Sequence, residues 1–338
     1  MKKTKKVLAA AMAAAMVLGL AACGSQNGGS QESDTPSADK QYKVGIIQQM
    51  EHVALDGARE GFVAALADKG LVEGENLTIN YQNGNGDPNN LNTIAEQFVS
   101  EEDDLVLAIA TTAAQTMASK TDTIPIVGTA ITSYTEAGLV ESEAAPGGNV
   151  TGTTDMNPVE DQMALMFEIC PDVKTVGFLY CNSEDNSRLQ VNIAKEWLDN
   201  QGIAYVERTV ANTNDVQQAV SSIVSECDAI YIPTDNVFAA TIPTVYEVAT
   251  PAGIPVFCGE MGMVENGGFA TYSLTYYSIG YQAGLMAYEI LVEGAEPATM
   301  PIAGAAEYEY GFNGDVAKEL GITIPDKYAD AVIYPSES

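Results

Sequence analysis

Residues 173–187 read VKTVGFLYCNSEDNS, an apolar run that stops in a cluster of small polar and acidic residues before a helical pattern begins. A continuously apolar run of this length is typical of a strand that is covered on both faces of a parallel sheet. Stretches with helical periodicity separate this run from others like it, so the sequence predicts an α/β fold with doubly wound parallel sheets. The other predicted strands are 43–48, 77–81, 105–109, 125–128, 204–209, 228–232 and 255–258.

The helices between these strands have recognisable ends. Ser187 is the expected N-cap of a helix over 188–201, and Gly202 is the residue expected to end it. Asp56 and Thr213 are the expected N-caps of two further helices.

The strand–helix pattern occurs twice, over 43–128 and again over 173–258, and the stretch 146–154 separates the two occurrences. The chain is long enough for two domains of ordinary size. We therefore interpret it as two similar α/β lobes rather than one large sheet. Two later stretches, 268–274 and 297–303, flank a helical pattern and are interpreted as further crossings between the lobes.

The N-terminal segment has the features of an export signal and an anchor. Lysines precede an apolar run from Val7 to Leu20, the pattern of a secretory signal peptide over 1–22. The residues LAAC, which end at Cys23, resemble a lipobox whose cysteine is acylated; simple secretion is the alternative. Residues 23–41 are expected to form a flexible tether, because they lack the apolar side chains of a core. An extracytoplasmic, lipid-anchored protein is therefore expected.

The chain is strongly acidic, with 46 acidic and 15 basic residues. Four of the lysines lie in the expected signal peptide, and without them the net charge is about −35. Such a charge disfavours binding to nucleic acids and to anionic membrane surfaces. No nucleic-acid partner is expected.

The remaining cysteines, Cys170, Cys181, Cys227 and Cys258, have no CxxC spacing, and each borders an apolar run. A zinc site is not expected, and buried free thiols are favoured over disulfides, which export would also permit. The sequence contains no nucleophile elbow, no phosphate-binding P-loop and no HExxH zinc motif. No enzyme activity, metal or cofactor is therefore expected.

Polar residues follow the carboxyl ends of six predicted strands, where ligands bind in open parallel sheets. In the first half of the chain these residues offer hydroxyl groups and helix-start amides, which suit a carboxylate. In the second half they include Glu184, Asp235 and Glu260, any of which suits an ammonium group. Opposed donors and acceptors predict a site for a zwitterion, such as an amino acid. His52, the only histidine, either lines this cleft or caps a helix.

Several stretches resemble one known family. In order along residues 42 to about 325, they are similar to the substrate-binding lipoproteins of ABC transporters in the group associated with tryptophan and tyrosine uptake. The stretches are EHVALDGAREGF at 51–62, TTAAQ at 111–115, GLV at 138–140, GGNVTG at 147–152, LYCNSEDNS at 179–187, YIPTDN at 231–236 and GFATYSLTYYSIG at 268–280.

The resemblance implies a type I periplasmic-binding-protein fold, in which three crossing segments join two lobes around one ligand cleft. The implied lobes are 42–152 with 275–299, and 153–274 with 300–338. The resemblance also implies a monomer that closes on its ligand and delivers it to a membrane permease driven by a separate ATPase. A sensor that signals to a membrane receptor, and a surface hydrolase that uses Glu184 and Asp235, are the alternatives.

Carried over by position, the resemblance divides the site among three regions. It implies that the ligand carboxylate is held by Thr112, Ala113, Ala130 and Thr132. It implies that the amino end is bound by Ser183, Glu184, Asn186, Asp235 and Asn236, and that the loop from Gln49 to Leu55 walls the side-chain pocket. The complete expected ligand-binding set is Gln49, His52, Leu55, Thr111, Thr112, Ala113, Ala130, Thr132, Ser183, Glu184, Asn186, Asp235, Asn236 and Glu260.

The side-chain preference of the site stays open. Relatives read TDP where this chain has Thr132-Ser133-Tyr134. An aromatic amino acid is favoured by the resemblance, and a branched-chain amino acid, a peptide fragment or a nucleoside-like solute are the alternatives. Aromatic residues near strand ends are candidates either to stack on a ligand or to pack in the core; they are Tyr134, Tyr180, Phe238 and Tyr277.

Overall fold

Two open sheets, each flanked by helices, make up residues 40–334, the part of the chain that the computed structural model describes. The expected signal peptide at 1–22, the lipidation site Cys23 and nearly all of the tether at 23–41 lie outside these residues. Within them, no helix is both long and apolar enough to cross a membrane.

The first sheet has the strand order β2-β1-β3-β4-β5 and is parallel throughout. Its strands are β1 Tyr42–Gln48, β2 Leu77–Asn83, β3 Leu105–Ile109, β4 Ile126–Ile131 and β5 Val150–Thr154. Its helices are α1 Val53–Asp68, α2 Pro88–Glu101 and α3 Thr111–Ala118. The stretch 146–154, expected to separate the two lobes, instead supplies β5, which pairs with β4. Gly152 permits this pairing, because a Cβ there would overlap the carbonyl oxygen of Gly128.

The second sheet has the order β12-β11-β10-β9-β8-β6-β7. Its strands are β6 Thr175–Cys181, β7 Ala204–Val210, β8 Ala229–Ile232, β9 Val256–Cys258, β10 Ala270–Ser273, β11 Glu309–Asn313 and β12 Val332–Tyr334. The prediction of two parallel-sheet α/β lobes is confirmed, and within the second sheet β10 and β11 pair antiparallel. The chain leaves this sheet through β10 and returns to it through β11, so the two strands run in opposite directions.

Helices cover both faces of each sheet. Those that follow β5 are α4 Val159–Ile169, α5 Asp185–Gln201, α6 Val216–Ile223, α7 Asn236–Ala239, α8 Ile242–Ala249, α9 Met261–Glu265, α10 Tyr276–Tyr288 and α11 Gly314–Leu320. Each sheet therefore has an apolar core on either side. This double coverage explains why the strands are continuously apolar instead of alternating.

The described chain passes between the sheets three times. The crossings lie after β5 at 155–158, between β10 and α10, and between α10 and β11. Helix α10 follows a strand of the second sheet but packs against α1 of the first. The two helices can approach closely because Gly61 and Gly280 have no side chain. A Cβ at either position would overlap the backbone of the facing helix.

Three of the expected helix caps are wrong. Helix α5 begins at Asp185, with Glu184 at the N-cap position, so Ser187 lies inside the helix and is fully buried. Asp56 lies in the first turn of α1, and Thr213 begins a short 3₁₀ helix that Asn212 caps. The Ser187 side chain makes a tertiary hydrogen bond instead of a cap. The expected end of α5 is confirmed, because Gly202 adopts the left-handed conformation with φ of 70°.

The four cysteines of residues 40–334 are free thiols. Cys181, Cys227 and Cys258 are buried, whereas Cys170 is partly exposed because it follows the last turn of α4.

Candidate functional site

A small cavity lies between the two lobes, at the carboxyl ends of the central strands, and only about 10 Å³ of it is open to the centre of a water molecule. This space is far smaller than the range of about 300–1,000 Å³ that is usual for small-molecule sites. Its lining is mostly polar and comes from both lobes and from the crossing segments. The lining residues are His52, Leu55, Ala130, Asp155, Asn186, Thr234, Asp235, Asn236, Ala239, Glu260, Met263 and Tyr276.

His52 occupies the N-cap position of α1 and faces the second lobe. Its Nε2 lies 3.1 Å from Asn236 Oδ1, while its Nδ1 is buried and has no partner within residues 40–334. Asn236 Nδ2 donates to Glu184, which fixes the amide orientation and makes Nε2 the protonated nitrogen. Burial of the ring lowers the pKa of His52 to about 4, so the imidazole is neutral at physiological pH and leaves Nδ1 as an acceptor.

Glu184 lies behind the cavity wall and is almost fully buried. Its carboxylate accepts hydrogen bonds from Asn236 N at 3.1 Å, Asn236 Nδ2 at 2.7 Å and Asn186 Nδ2 at 3.2 Å. Gln49 Nε2, from the first lobe, lies 3.5 Å away. Burial, together with the nearby charge of Asp235, raises the pKa of Glu184 to about 8. Glu184 therefore orients two asparagines that line the cavity, but does not line it itself.

Asp235 and Glu260 do line the cavity, and both cap helices. Asp235 accepts from Phe238 N at the start of α7, and also from Cys181 N at 2.6 Å and Ser187 Oγ at 2.7 Å. Glu260 caps α9 by accepting from the N–H groups of Gly262 and Met263. Burial raises the pKa of both carboxyl groups, that of Glu260 to about 7. All of these donors belong to the second lobe.

A fourth carboxylate at the cavity, Asp155, was missed by the sequence reasoning. It lies in the crossing after β5 and is 3% exposed. Thr132 Oγ1 donates to it at 2.9 Å, and Tyr276 Oη donates at 2.7 Å. Burial raises the pKa of Asp155. Asp155 follows β5, which was not predicted as a strand. If β5 had been predicted, the tendency of ligand-binding residues to follow strand ends would have identified Asp155.

Other lining residues were also missed, and the proposed stacking residues lie elsewhere. Thr234, Ala239, Met263 and Tyr276 line the cavity without having been expected. Of the four aromatic candidates, Tyr134 and Phe238 are fully buried, Tyr180 donates to Glu207, and Tyr277 is 49% exposed beside Tyr281; the cavity lining includes none of them.

The expected residues at the start of α3 lie next to the cavity rather than in its wall. Thr111 is buried with an unpartnered hydroxyl within the described chain, and it lines a narrow gap that Asn186 also borders. Thr112 is partly exposed, and Ala113 is part of the apolar core. Ser183 is exposed and contacts Cys181 Sγ at 3.2 Å, away from the cavity.

The two lobes touch directly across the cleft. Gln115 Nε2 donates to Asp185 at 2.9 Å, and Gln190 Nε2, in the second lobe, donates to Thr132 at 3.3 Å. Thr132 Oγ1 also lies 3.5 Å from Thr234 Oγ1. Together with the bond between His52 and Asn236, these contacts show that the cleft is closed.

The electrostatic character of the cavity is one-sided. Three carboxylates line it, a fourth lies behind the wall, and none of the lining residues is a lysine or arginine. Within residues 40–334 no group of histidine, cysteine and acidic side chains is arranged to hold a metal ion. A ligand with a positively charged group would supply the counter-charge that these buried carboxylates otherwise find only in neutral donors.

Comparison with known proteins gives a consistent family match. A family model described as ABC transporter substrate binding protein matches residues 43–333. The chain is 38% identical to the tyrosine-binding protein of Clostridioides difficile over 95% of this chain and 93% of that protein.

Two solved structures are similar in sequence and fold. One is an ABC domain from Streptococcus pneumonia in complex with L-Trp, which is 35% identical, with a TM-score of 0.84 over 87% of this chain and 100% of that chain. The other is the ligand-free, open structure of a substrate-binding protein with adhesive properties from Clostridium difficile, which is 38% identical, with a TM-score of 0.68 over 88% of this chain and 100% of that chain. The relative placement of the lobes therefore matches the complex more closely than the open form.

Proposed function

The chain belongs to the family of ABC transporter substrate-binding proteins, and on that premise we propose that it binds an aromatic amino acid, L-tyrosine or L-tryptophan, and delivers it to a membrane permease. The family consists of binding proteins rather than enzymes, and the fold is that of the type I periplasmic-binding proteins. The observation that carries the proposal is the interlobe cavity, which is lined by three acidic side chains and by no lysine or arginine. One relative is called tyrosine-binding, and another was solved with L-Trp.

The ligand carboxylate is proposed to lie near the start of α3. Thr111 has an unpartnered buried hydroxyl there, and the first N–H groups of a helix have no partner within the helix. Asn186, whose Oδ1 is also unpartnered within the described chain, borders both this space and the main cavity. A zwitterion that spans the two spaces would place its carboxylate at a favourable helix end and its ammonium group among the acids.

Closure of the two lobes is the proposed mechanism. The ligand would bridge the lobes in the closed arrangement, and it shifts the equilibrium only by binding this arrangement more tightly than the open one. The proposed lobes are 42–152 with 275–299, and 153–274 with 300–338, except that β5 extends the first lobe to Thr154. The direct hydrogen bonds across the cleft support this mechanism, because they form only when the lobes are together.

The proposed setting is outside the cytoplasm, with the chain anchored through a lipid on Cys23 and acting as a monomer with a permease and its separate ATPase. The sequence around Cys23 supports the anchor. Replacement of Cys23 by alanine should release the protein from the membrane fraction into the soluble fraction. If the variant stays in the membrane fraction, the anchor is contradicted.

Thermal unfolding of residues 24–338 against the twenty amino acids and common solutes tests the ligand class. A ligand at a hundred times its dissociation constant adds about 2.7 kcal/mol of stability. We expect L-tyrosine or L-tryptophan to raise the unfolding midpoint most. A shift only with solutes that lack an ammonium group would contradict the proposal.

A further inference from the structure

The four buried carboxylates around the cavity differ in what holds them. Asp235 accepts from two backbone N–H groups and a hydroxyl, and Glu260 accepts from two backbone N–H groups at a helix start. Glu184 accepts from one backbone N–H group and two side-chain amides. For these three, fixed amide donors of the second lobe offset the charge. Asp155 is held instead by two side-chain hydroxyls.

Asp155 keeps free acceptor capacity, as Glu260 does. A carboxylate offers about four lone-pair sites, and each of its oxygens accepts one hydroxyl here. Asp155 also precedes the first residue of α4, Val159, by a full turn, so it does not cap that helix. Asp155 lies in the cavity wall, and its two donors are hydroxyls rather than the backbone N–H groups that hold Glu260.

Asp155 also lies where the lobes are joined. It belongs to the first crossing, and Tyr276, which donates to it, is the first residue of α10 after the second crossing. Its other partner, Thr132, follows β4 of the first lobe and meets Thr234 and Gln190 of the second. The hydrogen bonds of Asp155 thus link the first two of the three crossings to Thr132, which itself contacts the second lobe.

We infer that Asp155 binds the ammonium group of the ligand, and that Thr132 and Tyr276 are positioning residues that hold its two oxygens for this contact. The inference rests on the proposed function and names a group within that site. It assigns the counter-charge to a residue of the crossing segment rather than to Glu184 or Asp235. A ligand ammonium group at Asp155 would contact a segment that joins the two lobes.

Paired ligands that differ only in the amino group test the inference. Isothermal titration would compare L-tyrosine with 3-(4-hydroxyphenyl)propanoate, and L-tryptophan with 3-(indol-3-yl)propanoate. The protein would be wild type, Asp155→Asn, or the matched control Asp103→Asn, in which a buried aspartate before β3 is changed outside the cavity. Asparagine keeps the size and the acceptor oxygen of the side chain and removes its charge.

Wild type and Asp103→Asn should prefer the amino acid to its analogue. In Asp155→Asn the amino acid should bind about 30-fold more weakly or worse, by analogy with truncated buried charge pairs, while the analogue binds no more weakly than to wild type. An unchanged preference in Asp155→Asn would overturn the inference. So would a loss of preference found in Glu184→Gln or Asp235→Asn but not in Asp155→Asn.

Two further outcomes are distinguishable. If wild type binds neither aromatic amino acid, the proposed function fails, and the assignment of Asp155 fails with it. If Asp155→Asn does not fold, as judged by circular dichroism, then Tyr276→Phe provides the same comparison. This variant removes one of the two hydroxyls that hold Asp155, and we expect a smaller reduction of the preference for the amino acid. A preference equal to that of wild type would overturn the inference.

Discussion

His52 of the first lobe and Asn236 of the second are joined across the cleft, with 3.1 Å between His52 Nε2 and Asn236 Oδ1. Asn236 continues the connection to Glu184, which in turn accepts from Asn186. These contacts form a row of hydrogen-bonded side chains beside the cavity, from the neutral His52 of the first lobe to Asn186 of the second. Because the row is complete only when the lobes are together, it contributes to the stability of the closed arrangement.

Replacement of His52 by alanine should weaken ligand binding. The variant loses one hydrogen bond worth about 0.5–1.5 kcal/mol in the closed form and leaves Asn236 Oδ1 unpaired. We expect a loss of affinity of roughly 3- to 30-fold, measured by calorimetry, and a larger radius of gyration without ligand in X-ray scattering. Glu51→Ala, at the exposed neighbouring position, is the control and should bind like wild type. Equal losses in both variants would show that the bond across the cleft has no specific role.

The buried carboxyl groups should make the ligand-free protein less stable as the pH rises. Burial raises the pKa of Glu184 to about 8 and that of Glu260 to about 7, from an ordinary value of 4.5. Between these values the folded state binds more protons than the unfolded state, so the free energy of unfolding falls with increasing pH. The lowered pKa of His52, about 4, acts in the opposite direction, but only below its ordinary value of 6.5.

From pH 6.5 to 8 the carboxyl groups therefore dominate, and we expect a fall of about 2 kcal/mol in the free energy of unfolding. Urea unfolding at several pH values measures it. Glu184→Gln should reduce the slope, because its side chain does not titrate. A stability that is constant or rises over this range would show that these groups are not protonated in the folded protein.

Helix α10 should depend on glycine where it meets α1. A Cβ at Gly280 would overlap the carbonyl group of Ala58, so Gly280→Ala must push the helices apart. We expect a loss of roughly 1–3 kcal/mol in the free energy of unfolding, as for other overpacked cores. Gly148→Ala is the matched control, because nothing lies near the added methyl group there. Similar stability of the two variants would contradict the close packing of α1 and α10.

Asp235 should be important for folding as well as for binding. Asp235→Ala leaves the buried N–H groups of Cys181 and Phe238 without their acceptor, at an expected cost of about 1–3 kcal/mol in the free energy of unfolding. Denaturant unfolding measures the loss, and Asp172→Ala, at an exposed aspartate, should be close to neutral. If Asp235→Ala unfolds at the wild-type midpoint, the cap is not a stabilising contact.

Much of the fold was predictable, because strands buried on both faces leave continuous apolar runs such as 105–109 and 173–180. Strand β5 was not, because its residues, VTGTT, are small and polar, and Gly152 pairs closely with its neighbour strand. Strand β11, which runs antiparallel to β10, was not predicted, because its direction depends on where the chain re-enters the second sheet after α10. Ser187 and Asp56 were misplaced as caps, since a short polar side chain can make a tertiary contact as readily as it caps a helix.

The rule that ligand-binding residues follow the carboxyl ends of parallel strands predicted part of the cavity wall. His52, Leu55 and Asn236 line the cavity, and so do Ala130, Asn186, Asp235 and Glu260. The rule could not separate residues in the wall from those one layer behind it, such as Glu184 and Thr132, since side-chain direction follows from packing. It also missed Asp155 and Tyr276, because crossing segments carry no periodic pattern.

Isothermal titration of residues 24–338 with L-tyrosine, L-tryptophan and L-leucine tests the central claim most directly. We expect one site per chain, with L-tyrosine or L-tryptophan bound at least 10-fold more tightly than L-leucine. No binding of either aromatic amino acid, or equal binding of L-leucine, would contradict the proposal that this acidic interlobe cavity is a site for an aromatic amino acid.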